Sequence, residues 1–214
     1  MQLIDFILHI DKHLVSMIGN FGVWTYVILF LIVFVETGLV IFPFLPGDSL
    51  IFAAAALSAN AHAQLNVWIL LAVFISAAVI GDSVNYELGE HFSHYATKQS
   101  FLKRFINQEH LDSAHKFFEK HGGITIVIGR FIPFIRTFVP FVAGSGSMHY
   151  RRFLIYNVAG AGLWVGLFTF VGYVFGTNPI VQEHFSLIAI GIVLVSVVPI
   201  IITFFRNKAK KKKS

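Results

Sequence analysis

The chain has no cysteine. Disulfide and thiol chemistry are therefore excluded, and the sequence carries no signature of a redox compartment. Charge is scarce: Asp, Glu, Lys and Arg make up 13% of the 214 residues, far below the soluble norm of about 25%. Catalytic signatures are missing too. There is no Gly-x-Ser-x-Gly, no glycine-rich loop followed by Lys-Ser/Thr, and no His-Glu-x-x-His. Ser145 and Ser147 lie near two arginines, but the sequence sets no base beside them. No enzyme activity and no cofactor are expected.

Apolar side chains take the place of charge. Hydrophobic residues are 56% of the chain, phenylalanine occurs 24 times, and the mean hydropathy is +0.75. These values point to one membrane domain over residues 1–214. The net charge of +5 is concentrated: six of the sixteen Lys/Arg lie between Arg206 and Lys213. A basic tail directly after an apolar helix reads as a cytoplasmic anchor near anionic headgroups rather than a nucleic-acid site. Ten histidines include His91, His94, His110, His115 and His121. They lack the tight spacing of a four-ligand zinc site, so no metal is expected.

Hydropathy patterning divides the chain. Gln2, Asp5, His9, Lys12, His13 and Ser16 recur at helical spacing among apolar residues, so residues 1–20 read as an interfacial amphipathic helix. It is not a cleavable signal, because its first ten residues hold Asp5 and no Lys or Arg. Phe21 to Phe42 is long enough to span. The segment Pro43-Phe44-Leu45-Pro46-Gly47-Asp48-Ser49 follows, then only eight apolar residues, Leu50 to Leu57. Eight helical residues cannot cross about 30 Å of hydrocarbon. A re-entrant hairpin at about 37–58 is the economical reading, shielded by protein or water.

Asn66 to Leu88 is the next span, closing a first repeat over 21–90. Residues 91–121 are polar and basic, with an apolar face of Leu111, Ala114, Phe117 and Phe118, Asn107 as N-cap and Gly122 as stop. The second repeat, 122–177, holds a hairpin at about 124–148 with Pro133 and Pro140, then a span from Phe153 to Gly176. Residues 186–205 form a final span and 206–214 the basic tail. The Lys/Arg bias places 91–121 and both termini in the cytoplasm.

The fold expected is an all-α integral membrane protein of about four full spans plus interfacial helices. Its two re-entrant hairpins enter from opposite faces. Tyr86-Glu87-Leu88-Gly89 and Tyr173-Val174-Phe175-Gly176 end the two spans alike, which fits an inverted-topology repeat with a site at the midplane.

Arg130 and Arg136 stand in the apolar run Gly129–Pro140 with no neighbouring counter-charge. A cation at membrane depth costs roughly 2.5–3.5 kcal/mol on insertion scales. It persists only where it faces protein, water or an anion. Guanidinium binds phosphate oxygens bidentately, so these two residues are the candidates for a lipid phosphate. The structural alternative is that they only neutralise buried carboxylates, although apolar packing would join two hairpins at lower cost.

Glu36 and Asp48 are candidates for proton coupling or gating. Desolvation favours a neutral carboxyl and a nearby guanidinium favours a charged one, and the balance allows titration near neutral pH. Asp48 also fits N-cap chemistry at the start of the Leu50 helix. Asp82 is a secondary candidate and more ambiguous, since near the inner interface it also reads as a solvated end-of-helix residue. Pro43, Pro46, Gly47, Pro133, Pro140 and Gly144 read as backbone devices of the hairpins, as does Gly146. Gly162-x-x-x-Gly166 and Gly172-x-x-x-Gly176 permit close helix contact, inside the chain or, as the lesser alternative, in a homodimer.

Three motifs together carry a family resemblance. They are Glu36-Thr37-Gly38…Phe44-Leu45-Pro46-Gly47-Asp48-Ser49, Gly81-Asp82-x-x-x-Tyr86-x-x-Gly89, and Arg130-Phe131-Ile132-Pro133-x-x-Arg136-Thr137. The chain resembles the DedA family, the bacterial branch of the SNARE-associated Golgi or VTT-domain superfamily. The resemblance implies a bacterial inner-membrane protein with opposed hairpins that moves lipids between leaflets. It implies that Glu36, Asp48, Arg130 and Arg136 are required. Some members resemble translocases returning undecaprenyl phosphate to the cytoplasmic leaflet; others are linked to phospholipid flipping. The leading expectation is a proton-coupled undecaprenyl phosphate flippase. The alternatives are a phospholipid flippase or scramblase, and a proton-coupled ion transporter for pH or osmotic homeostasis. From another class come a lipid pyrophosphate phosphatase and a membrane scaffold; the missing nucleophile motifs and the buried charges argue against them.

Overall fold

The computed structural model describes residues 21–38, 47–59, 65–95 and 118–178. Every regular element among them is helical. In chain order these are α1 (Trp24–Gly38), α2 (Gly47–Ser58), α3 (Val67–Tyr95), α4 (Ile124–Gly129), α5 (Pro133–Val142) and α6 (Tyr150–Gly176). A π-helical turn, Ala143–Ser147, ends α5. The interfacial helix expected at 1–20, Pro43, Pro46, most of the 91–121 segment with His110 and His115, the span at 186–205 and the tail lie outside the described residues.

Only α3 and α6 are both long and apolar enough to cross a membrane among the described residues. At 1.5 Å per residue they extend about 43 and 40 Å. The Asn66 side chain accepts the Trp68 backbone N–H at 2.9 Å and so caps α3. Pro133 opens α5, where its missing N–H costs nothing. Pro140 lies inside α5 and does not end it. Gly122 takes φ +61°, and its N–H returns to the Phe118 carbonyl at 2.7 Å. This closes the preceding helix as glycine C-caps do.

α1 and α3 run parallel. The Tyr26 hydroxyl accepts the Asn66 N–H at 2.8 Å at one end. At the other, a Cβ on Gly38 would stand 3.3 Å from Gly81 Cα. A full crossing by 21–42 followed by a hairpin at 37–58 would make α1 and α3 antiparallel. The fifteen and twelve residues of α1 and α2 extend about 22 and 18 Å.

Each long helix packs on helices from the other half of the chain. α3 lies against α5 and the π turn, and α6 lies against α2. The glycines of the two Tyr-x-x-Gly sequences make these contacts. A Cβ on Gly89 would overlap the Phe141 carbonyl, and one on Gly176 the Ala56 carbonyl. Gly172 lies equally close to the Phe52 carbonyl, whereas Gly162 and Gly166 have open space where a Cβ would be. Of the two Gly-x-x-x-Gly spacings, only the second therefore packs inside the described chain. Leu29, Val33, Phe52, Phe74 and Trp164 fill the larger core, and Phe138, Val142 and Phe153 a smaller one around the second hairpin. The outer faces of α3 and α6 expose Trp68, Ile69, Ile155, Leu163 and Phe170. This inversion of soluble-protein patterning suits a lipid surround.

Candidate functional site

The charged residues singled out in the sequence meet among α1, α2, α3 and α5, and α6 adds the uncharged partners Asn157 and Trp164. Glu36 sits near the end of α1, Asp48 in the first turn of α2 and Asp82 midway along α3. Arg130 occupies the break between α4 and α5, just before Ile132 adopts an extended conformation. Arg136 lies one turn into α5.

Arg136 holds two carboxylates at once. Its Nη1 donates to Asp48 Oδ1 at 3.0 Å and its Nη2 to Glu36 Oε1. The bonds reach both α1 and α2, so one guanidinium ties α5 to both helices. Its side chain is 11% exposed, Asp48 18% and Glu36 5%. The Trp164 indole N–H donates to the same Asp48 oxygen at 3.1 Å. Its ring also lies 4.9 Å from the Arg136 guanidinium carbon, close enough for cation–π attraction.

Arg130 uses a different set. Its Nη2 donates to Asp82 Oδ2 and to Asn157 Oδ1, on α3 and α6. The Asn157 amide nitrogen donates to the Val79 carbonyl at 3.1 Å, which fixes its oxygen toward Arg130. Asp82 is therefore not a solvated helix end. It is buried because α3 continues past residue 88 to Tyr95, which carries residue 82 into the helix interior. Arg130 meets Asp82 and not Glu36 or Asp48.

Asn85 fastens the site to both hairpins. Its Nδ2 donates to the Thr137 carbonyl at 2.7 Å and reaches the Thr37 carbonyl at 3.5 Å. These carbonyls belong to the residues following Arg136 and Glu36. Glycines set the remaining clearances. Gly47 and Gly144 have no positive φ. Their role is close approach: a Cβ on Gly47 would overlap the Glu36 carboxylate, and one on Gly144 the Tyr86 carbonyl. Gly146, at φ +117°, does serve the backbone. Ser145 donates to the Val142 carbonyl at 2.8 Å, a bond within its own turn.

A cavity of about 10 Å³ lies between the two charge groups, lined by Thr37, Asp82, Arg130, Arg136, Thr137 and Trp164. That is room for about one water. The surrounding charge is uneven. Three carboxylates face two guanidiniums, so the fully ionised cluster carries one excess negative charge. Removing one partner of a buried pair costs about 3–5 kcal/mol, so the charges constrain one another strongly.

Sequence reasoning had no purchase on Asn85, Asn157 and Trp164. An Asn or Trp in an apolar helix is ordinary until its partners are known. The one available signal was their spacing from the charged residues: Asn85 lies three after Asp82, on the same face of α3.

Comparison with known proteins identifies the family. The VTT domain model matches residues 45–174. The chain is 52% identical to Protein DedA of Escherichia coli K12 over 206 residues, covering 96% of this chain and 94% of that one. The chain belongs to the VTT-domain, or DedA, family. An uncharacterized membrane protein of Mycobacterium leprae, ML0287, is 38% identical over 186 residues, 86% of this chain and 82% of the relative. Inner membrane protein YqjA of Escherichia coli K12 is 37% identical over 169 residues, 79% of this chain and 74% of the relative. No solved structure matches. The VTT-domain match begins before α2 and ends within α6, so it takes in four of the five charged residues and leaves out Glu36.

Proposed function

We propose that this DedA-family protein is an inner-membrane lipid transporter that returns undecaprenyl phosphate to the cytoplasmic leaflet, coupled to protons. The observation that carries the reading is the buried cluster itself: two arginines and three carboxylates at the junction of two hairpins. A scaffold gains little from such a cluster, since apolar packing joins helices at lower cost. Guanidinium forks fit phosphate oxygens, and the apolar outer faces of α3 and α6 suit a polyprenyl tail that stays in lipid.

Charge counting supports proton coupling. The ionised cluster already has one negative charge in excess. A phosphate adds more, so it enters only as carboxylates take up protons or leave the arginines. Glu36 and Asp48 share Arg136, and protonating either releases one arm of that fork. The cavity holds about one water, so a phosphate-bound state also requires the hairpins to separate.

The paired hairpins α1–α2 and α4–α5 are re-entrant in this reading, and α3 and α6 cross. Placing the basic 91–121 segment in the cytoplasm puts Trp24, Asn66 and Trp68 on the outer side, because α1 and α3 are parallel.

The experiment is reconstitution into liposomes with labelled undecaprenyl phosphate and, separately, labelled phospholipids. Leaflet exchange of undecaprenyl phosphate alone, faster with an imposed proton gradient, is the expected result. Exchange of phospholipids alone would replace the reading with a phospholipid flippase or scramblase.

A further inference from the structure

Arg130 and Arg136 are neutralised in unlike ways. Arg136 is clamped by two carboxylates and covered by an indole. Arg130 has one carboxylate, Asp82, and one uncharged partner, Asn157. Its Nε is buried and has no hydrogen-bond partner, and its side chain lines the cavity together with Asp82. The stem of Arg130 runs against α6 at Gly160, where a Cβ would stand 3.2 Å from Cδ and Nε. The guanidinium is thus set in place by Gly160 and Asn157, with its buried Nε–H unused.

We propose that Asp82 is an internal stand-in for the substrate: it occupies on Arg130 the position that a phosphomonoester takes, and leaves when that group binds. The inference rests on the transport reading above. A carboxylate and a phosphate present the same paired oxygens to a guanidinium, so they compete for one fork. Asn157 is the fixed arm. Its other end is tied to the Val79 carbonyl, and an amide adds an acceptor without charge, so it orients Arg130 whether Asp82 or phosphate is present. The unpartnered Nε supplies the further donor that a phosphate uses and a single carboxylate oxygen does not. Asp82 is then a specificity residue: a weakly held anion fails to displace it, and it returns to expel the phosphate at release.

The test uses the full chain in phosphatidylcholine nanodiscs, with undecaprenyl phosphate in the bilayer as one probe and inorganic phosphate in solution as the other. Asp82→Asn removes the competitor while keeping the shape. It is expected to bind undecaprenyl phosphate about tenfold more tightly than wild type and to turn it over more slowly, the gain being that of about one charge-assisted bond. Equal or weaker binding by Asp82→Asn overturns the proposal and leaves Asp82 a structural counter-charge. If that variant does not accumulate, Asn157→Asp reads the competition from the other side: a second carboxylate on Arg130 should weaken binding about tenfold or more, and unchanged binding overturns the proposal. A gain in Asp82→Asn confined to inorganic phosphate overturns the assignment to a lipid headgroup. Wild type that binds neither probe sinks the transport reading itself, which separates the two failures.

Discussion

Asn85 donates from the middle of α3 to the carbonyl of Thr137, at 2.7 Å, one residue past Arg136. The same nitrogen reaches the Thr37 carbonyl, one residue past Glu36, at 3.5 Å. Both partners are carbonyls, so the amide orientation is forced by the network. One buried side chain thus ties the backbones that present the acid and the base to each other. Asn85→Ala should destabilise the protein by about 0.5–1.5 kcal/mol through the loss of a buried hydrogen bond between helices. Thermal unfolding in detergent would read this, and an unchanged midpoint would mean that the hairpins are held by the ion pairs alone.

The glycines separate contact from composition. Gly89→Ala and Gly176→Ala place a methyl on a backbone carbonyl of the opposite half. Overpacking of this kind costs about 1–3 kcal/mol. Gly162→Ala and Gly166→Ala meet nothing and should leave stability unchanged or slightly raised, since alanine favours helix over glycine. Four melting curves check the pattern. Loss of stability at Gly162 or Gly166 would point to a contact with residues outside the described part or with a second copy.

Much of this architecture was legible. Apolar composition marked an all-helical membrane protein, three motifs marked its family, and Arg130 and Arg136 in an apolar stretch called for the buried counter-charges that they meet. The direction of α1 was not legible, because hydropathy counts apolar residues and not direction; the contact of Tyr26 with Asn66 and the approach of Gly38 to Gly81 show that α1 and α3 run parallel. The burial of Asp82 was not legible for a related reason. It depends on how far α3 extends, and helix ends are poorly marked where no cap or glycine stops the pattern. Asn157 and Trp164 gain their roles from partners 27 and 116 residues distant, which no local pattern records.

Topology gives a sharp test. With α1 and α3 parallel, cysteines introduced at Trp24 and Asn66 should both react with an impermeant thiol reagent from outside intact cells. One at Lys103 should react only after permeabilisation. The chain has no native cysteine, so the background is clean. Opposite labelling of Trp24 and Asn66 would restore a full crossing by 21–42.

The two arginines should not tolerate lysine equally. Arg136 uses two nitrogens to hold carboxylates on separate hairpin arms, a geometry that a single ammonium does not reproduce. Arg136→Lys should lose at least tenfold in transport, the equivalent of about one charge-assisted hydrogen bond. Arg130→Lys keeps a point charge near Asp82 and Asn157 and should retain folding while weakening phosphate binding. Transport and lipid-binding assays on variants of normal expression decide this. Full activity in both would reduce the arginines to counter-charges.

Glu36→Gln tests coupling apart from binding. Glu36 is buried and shares Arg136 with Asp48, so its charge state decides whether that guanidinium is held from one side or two. An amide keeps the shape and one acceptor but cannot cycle a proton. It also removes one negative charge, which brings the ionised cluster from an excess of one to neutrality. Phosphate binding should therefore survive or improve. What should disappear is the response to a proton gradient: Glu36→Gln proteoliposomes are expected to exchange lipid at one rate with or without the gradient, whereas wild type accelerates. Asp48→Asn makes the comparison stricter, because Asp48 also accepts the Trp164 indole and should cost stability as well. A gradient response that persists in Glu36→Gln and vanishes in Asp48→Asn would move the coupling proton from the first carboxylate to the second.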